Sequence, residues 1–305
     1  MNSRAEGNIS HKFPLKQYWS LGKPKVVLVM LVCALVGMLL AAEQFPSWLL
    51  LFNALLGIGL VSMGAAAFNH LLDQRIDQLM LRTQRRPLVQ QSITPWQAAL
   101  YASILSITGL LLLALEVNFL TAALTAIALM GYAVIYTAFL KRATPQNITI
   151  GGLAGAAPPL LGWTAVTDQV DANAILLVLI IFAWTPAHFW ALAIYRCEDY
   201  RKAGVPMLPV THGLRFTQLQ VWLYCWLTVA ATLMPYVVGM AGELFLFAIL
   251  VLNARWVWLN YQVLNSTGAR LIYVANRSFW FSIRYILYCF LLLLLDHYIG
   301  GYTAF

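Results

Sequence analysis

Residues 48–77 read WLLLFNALLGIGLVSMGAAAFNHLLDQRID. From Trp48 to Phe68 the stretch carries no charge, and then Asn69, Asp73, Arg75 and Asp77 follow in quick succession. A helix crosses the hydrocarbon core of a bilayer with about 20 apolar residues. Trp48–Leu72 therefore reads as one membrane crossing whose far end emerges among polar groups. The other structure able to span a bilayer is a closed barrel, which is marked by alternation in segments of about ten residues. This run is too long and too uniformly apolar for that.

Eight further runs flank it: Val26–Ala42, Trp96–Leu115, Phe119–Leu140, Ile148–Val166, Ala174–Tyr195, Leu219–Gly239, Leu244–Leu264 and Ser278–Tyr298. Over the whole chain 61% of residues are hydrophobic and 10% charged, against about 25% charged in soluble domains. The expected fold class is all-α, a polytopic transmembrane bundle of about nine spans. Residues 1–25 form a polar N-terminal segment at the cytoplasmic interface and 26–305 a single membrane domain. The N-terminal stretch lacks the short apolar run and small-residue cleavage site of a signal peptide.

The net charge of +8 would raise nucleic acid as a partner in a soluble protein. Here the distribution of charge accounts for it. Lysines and arginines fall before the first run and after the second, fourth, sixth and eighth. The alternate connections hold Glu43, Glu116, Asp168, Asp171 and Glu243 and no Lys or Arg. This positive-inside pattern predicts a cytoplasmic N-terminus, a periplasmic C-terminus, and cytoplasmic loops at 69–95 and 196–217. Cys33, Cys197, Cys225 and Cys289 are scattered without a CxxC and read as apolar packing residues with no disulfide framework.

Asn69, Asp73 and Asp77 recur every four residues, which places them on one helix face. Like charges at that spacing repel, and carboxylates near hydrocarbon cost free energy unless paired. Magnesium fits, since it takes carboxylate oxygens together with substrate phosphates. Arg82 and Arg86 stand just beyond, where guanidinium forks could pair with phosphate oxygens. DxxxD alone would equally suit a solvated helix end. A second group, Glu198-Asp199-Tyr200-Arg201-Lys202, repeats acids followed by bases after the sixth run. Lys141 and Arg142 close the fourth.

The first motif resembles that of the UbiA superfamily of intramembrane prenyltransferases. Tyr136-Thr137, Thr144-Pro145-Gln146-Asn147-Ile148, Gly151-Gly152 to Pro158-Pro159, Pro186-Ala187-His188-Phe189-Trp190 and Ala203-Gly204-Val205-Pro206-Met207-Leu208-Pro209 are similar to its heme-farnesylating branch. The resemblance implies transfer of the farnesyl group of farnesyl diphosphate to a vinyl group of heme b, giving heme O, in a bacterial inner membrane. It implies magnesium held by Asn69, Asp73 and Asp77, with Glu198 and Asp199 at a second site. Lys202 joins these as a catalytic residue, and Arg82, Arg86, Lys141 and Arg142 bind diphosphate. Heme A synthase or terminal-oxidase assembly proteins would be partners. Many superfamily members carry a second DxxxD, but here Ala203 stands four residues after Asp199, and Glu198 points about 100° away around a helix.

For heme, His188, Tyr136, Tyr195, Tyr200, Arg255 and Arg284 are the candidates. An aromatic belt explains the tyrosines equally, a hydrogen-bonded core histidine His188, and snorkelling the arginines. Two other functions remain open from sequence: prenylation of a quinone precursor, and secondary transport. Transporters place charges near the midplane, whereas these acids cluster at span ends.

Overall fold

A computed structural model describes residues 15–300; the N-terminal segment up to residue 14 lies outside the described residues. The described chain is helical, without a strand. In chain order the helices are α1 Leu15–Leu21, α2 Pro24–Ala41, α3 Trp48–Leu72, α4 Gln74–Leu79, α5 Pro95–Glu116 and α6 Phe119–Met130. The last of these continues as a π-helical stretch over Gly131–Leu140. Then come α7 Lys141–Ala143, α8 Asn147–Gly155, α9 Pro158–Thr167, α10 Ala172–Tyr195, α11 Cys197–Lys202, α12 Leu208–Thr211, α13 Gly213–Val237, α14 Glu243–Leu264 and α15 Gly268–Gly300.

Seven of these elements are long and apolar enough to cross a membrane. Two expected crossings fall outside that set. The run Ile148–Val166 is split between α8 and α9, because Pro158 and Pro159 open a new helix at its first turn, where a missing N–H costs nothing. α13 has the length, at 25 residues, but its first turns carry Arg215, Thr217, Gln218 and Gln220. The last helix begins ten residues before the expected Ser278.

The helix ends are fixed by local chemistry. Ser47 and Asn118 accept hydrogen bonds from Leu50 N and Thr121 N. Thr94 and Gln97 form a reciprocal capping box ahead of α5. Asp171 accepts from Ala174 N at the start of α10 and from the Trp163 indole of α9. These caps satisfy amides that lipid could not.

Packing pairs α3 with α5, α2 with α9, α10 with α13, and α14 with α15. The α2–α9 contact is backbone on backbone. A Cβ on Gly162 would lie 1.9 Å from the Ala34 carbonyl oxygen, and one on Gly37 2.2 Å from that of Pro159. Small residues that permit such approach are a standard device of membrane helices. The main core cluster joins α2, α9, α10, α13, α14 and α15 through residues such as Trp163, Phe245 and Phe290. Polar side chains cross the later helices too: Tyr285 Oη donates to Asn253 Oδ1 at 2.5 Å, and Ser278 Oγ to Asn260 Oδ1 at 2.9 Å. All four cysteines are buried and free.

The bundle has two chemically distinct ends. At one, Lys23, the α3–α4 junction, Lys141 and Tyr200 gather. At the other, the Asp296 carboxylate of α15 accepts from Gly242 N at 2.6 Å and Phe245 N at 2.9 Å, binding α15 to the first turn of α14.

Candidate active site

The Asn-xxx-Asp-xxx-Asp residues straddle a helix break. Asp73 is both the C-cap of α3 and the residue before α4. Helical hydrogen bonding continues across it, with Asp73 N donating to Asn69 O and Asp77 N to Asp73 O. The three side chains thus stay on one face, and Asn69, Asp73 and Asp77 are all buried.

Each has a cationic neighbour. Lys141 Nζ lies 2.5 Å from Asp73 Oδ2, and Arg86 Nη1 2.5 Å from Asp77 Oδ2. Lys23 Nζ donates to Asn69 Oδ1 at 2.5 Å, while Asn69 Nδ2 donates to Asp73 Oδ2 at 2.8 Å and to Thr137 Oγ1 at 3.3 Å. Thr83 Oγ1 donates to the Asp77 carbonyl and holds the loop that delivers Arg86. One carboxylate oxygen in this network, Asp73 Oδ1, is buried without a partner. An orphaned buried carboxylate oxygen asks for a cation or donor from outside the chain.

Lys23 was not distinguishable in the sequence from the other lysines ahead of α2. Its backbone is left-handed, φ 47° and ψ 55°, immediately before Pro24. Burial, with Arg86 and Lys141 nearby, lowers its ammonium pKa to about 7. A polyanion beside it would favour the charged form.

The π-helical stretch shapes the opposite wall. Its wider turn lets Thr137 Oγ1 donate to the Tyr132 carbonyl at 2.8 Å while accepting from Asn69. Tyr132 and Tyr136 stack at 5.6 Å between ring centroids, and Gly151 of α8 leaves the room that Tyr136 occupies. Bulges of this kind recur at functional sites.

The second loop is carried to the first by apolar packing. Ile76 and Met80 share a core with Tyr200, Val205, Met207, Leu208 and Trp190. Tyr200 is buried there among Arg82, Arg196 and Arg86, and burial raises its pKa. Asp199 accepts weakly from Arg196 Nη1 at 3.4 Å. Arg82 and Lys202 are exposed at the same end, and the Arg142 side chain lies outside what the structure describes.

Two of the expected site residues are paired within the chain. Glu198 was a candidate metal ligand, but its side chain is 72% exposed and pairs with Arg201 one helical turn on. Arg86, expected to bind diphosphate, is paired with Asp77. Among the described residues no three His, Cys, Asp or Glu side chains converge as a metal cage. The donor set still suits magnesium, which commonly uses one or two carboxylates and takes its remaining ligands from substrate phosphates and water.

His188 sits apart. Its ring is stacked by Trp184 at 4.2 Å and Phe279 at 4.7 Å, and its Nδ1 pairs with Ser282 Oγ at 2.5 Å. Rings pack on both faces and Nδ1 is bonded, so Nε2 is the ring nitrogen without a hydrogen bond among the described residues. Tyr195 lies under the Arg196 guanidinium at 4.5 Å. Arg255 of α14 and Arg284 of α15 line one cavity, whose lining does not include His188.

The chain belongs to the UbiA prenyltransferase family, whose pattern matches residues 30–283 of this all-helical bundle. Among its relatives, a protein of Marinobacter nauticus named protoheme IX farnesyltransferase is 51% identical over 93% of each chain. Protoheme IX farnesyltransferase 1 of Pseudomonas putida is 53% identical over 93% of this chain and 95% of its own. Of solved structures, a digeranylgeranylglyceryl phosphate synthase superposes with a TM-score of 0.76 at 20% identity, covering 92% of this chain and 98% of that one. A UbiA homologue of Archaeoglobus fulgidus bound to GPP and Mg2+ gives 0.64 at 19% identity, covering 91% and 99%.

Proposed function

We propose that this chain transfers the farnesyl group of farnesyl diphosphate to a vinyl group of heme b, with water adding to the same vinyl group, to give heme O and diphosphate. The observation that carries the reading is that relatives about half identical over 93% of the chain bear the name protoheme IX farnesyltransferase. Asn69, Asp73 and Asp77 would hold magnesium, with Asp199 as a further candidate ligand. When bound, the metal would act as a Lewis acid on the departing diphosphate. Lys141, Arg86 and Lys23 present fixed positive charge where negative charge develops. The stacked Tyr132 and Tyr136, with the apolar bundle behind them, keep water from the allylic carbon. His188 Nε2 would contact the acceptor or move its proton.

The acceptor is tested by incubating purified protein with farnesyl diphosphate, magnesium and either heme b or 4-hydroxybenzoate. Farnesylated heme and no prenylated benzoate is the expected outcome. The reverse removes the heme assignment and leaves only family membership.

Nine crossings follow if α8–α9 and α13 also traverse the membrane. The gathering of Lys23, Asp73, Lys141 and Tyr200 at one end supports this count, and the positive-inside pattern makes that end cytoplasmic. Reporter fusions after Asp199 and after the last helix should report cytoplasm and periplasm respectively. The same compartment for both sinks the nine-span arrangement.

Lys23 earns a separate test. Lys23→Met should raise the KM for farnesyl diphosphate about 10- to 100-fold, the worth of a hydrogen bond to a charged group, while Lys23→Arg retains most of the affinity. An unchanged KM in Lys23→Met would confine this lysine to supporting Asn69.

A further inference from the structure

Arg255 of α14 and Arg277 and Arg284 of α15 line one cavity of about 140 Å³ together with Asn276, Trp280 and Phe281. All three arginines are exposed, and among the described residues none has a carboxylate partner. Arg277, Trp280, Phe281 and Arg284 recur at i, i+3, i+4 and i+7 and share one face of α15. Phe279 and Ser282, which hold His188, occupy the other side of the same helix. The arginine cavity therefore opens outward, away from the proposed reaction site.

Its depth follows from helix geometry. Asp296 ties α15 to the start of α14 at the far end of the bundle. A hydrocarbon core of about 30 Å spans about twenty helical residues, which brings the near boundary to the level of Asn276 and Arg277. Arg284 then lies about 10 Å below that boundary and Arg255 about 12 Å below it. Stems of this length can snorkel toward the boundary, and all three arginines line the same cavity. Three guanidinium groups at this level without a protein anion are unfavourable in lipid.

We propose that this cavity binds the phosphate of an anionic phospholipid from the leaflet on the basic side of the protein; the inference rests on the chain spanning the membrane, not on its acceptor. Guanidinium groups take phosphate oxygens in paired fashion, and basic pockets between membrane helices are suited to acidic headgroups. Trp280, 58% exposed, stands where interfacial indoles anchor. A phosphodiester at the boundary, with its tails along α14 and α15, neutralises the cluster without entering the bundle.

The test uses the full chain, purified, delipidated and reconstituted with phosphatidylglycerol or phosphatidylcholine, with retained lipid read by native mass spectrometry. Phosphatidylglycerol should persist on the wild type and phosphatidylcholine should not. Arg255→Gln combined with Arg284→Gln should lower phosphatidylglycerol retention about thirtyfold, and Arg277→Gln alone about fivefold, from the usual contribution of each basic residue near an anionic headgroup. The wild-type comparison needs no variant, and Arg277→Gln changes only a boundary residue, so a misfolded double variant leaves the question answerable. Equal retention of the two lipids overturns the proposal. So does full phosphatidylglycerol retention in the variants. A double variant that keeps the lipid but loses the heme absorption change on binding would assign the cavity to porphyrin carboxylates instead.

Discussion

Turnover should fall about a thousandfold or more when Asp73 is replaced by asparagine. The substitution keeps the shape of the side chain and its contacts with Lys141 and Asn69, and removes the charge from the one carboxylate whose second oxygen is buried and unpaired. Asp73→Ala should be at least as inactive. It also strands a half-buried lysine, and breaking a buried ion pair from one side costs about 3–5 kcal/mol, so lower thermal stability accompanies it. Asp73→Asn also loses the ion pair but keeps a hydrogen bond to Lys141, so its melting temperature falls less than that of Asp73→Ala while its kcat collapses as far. Activity within tenfold of wild type in the asparagine variant would falsify the placement of the metal at this carboxylate.

Magnesium and the diphosphate should bind together and weakly apart. The protein's own cations lie against the residues proposed to hold the metal: Lys141 at Asp73, Arg86 at Asp77, Lys23 at Asn69. A metal arriving alone must displace them and face their repulsion. A metal arriving with a diphosphate gives those cations new partners, since each can turn from carboxylate to phosphate. Calorimetric titration of magnesium should therefore show an affinity about a hundredfold higher in the presence of a farnesyl diphosphate analogue, and the analogue's affinity should rise by the same factor with magnesium. Chelation should abolish turnover and added magnesium restore it. Equal magnesium affinity with and without the analogue would refute the exchange.

Much of this organisation was legible from residue spacing alone. The period of four in Asn69, Asp73 and Asp77 survived a helix break because the backbone bonds continue through Asp73. Trp48–Leu72 begins and ends where its apolar run does. Glu198 was already suspect from its 100° offset, and its ion pair with Arg201 follows the ordinary i, i+3 rule. What spacing could not convey is what depends on distant chain. The π-helical turn at Gly131–Leu140 has the same composition as any apolar helix. Lys23 lies 46 positions from Asn69, and only tertiary packing makes it part of the site. The run Ile148–Val166 reads as one apolar crossing, and its break into two helices at Pro158 is not conveyed by hydropathy.

The backbone contact between α2 and α9 also has a consequence in time. α2 is synthesised before α9, and the helix that will cover its Ala34 and Gly37 face is made more than a hundred residues later. At about 5–20 residues per second, roughly 6–23 s pass between completion of α2 and the start of α9. Throughout that interval the Ala34 and Gly37 face is an open, small-residue groove in the bilayer, able to accept any neighbouring helix with a similar notch. A bulky substitution at Gly37 or Gly162 would therefore prolong that uncovered period rather than merely loosen the finished bundle.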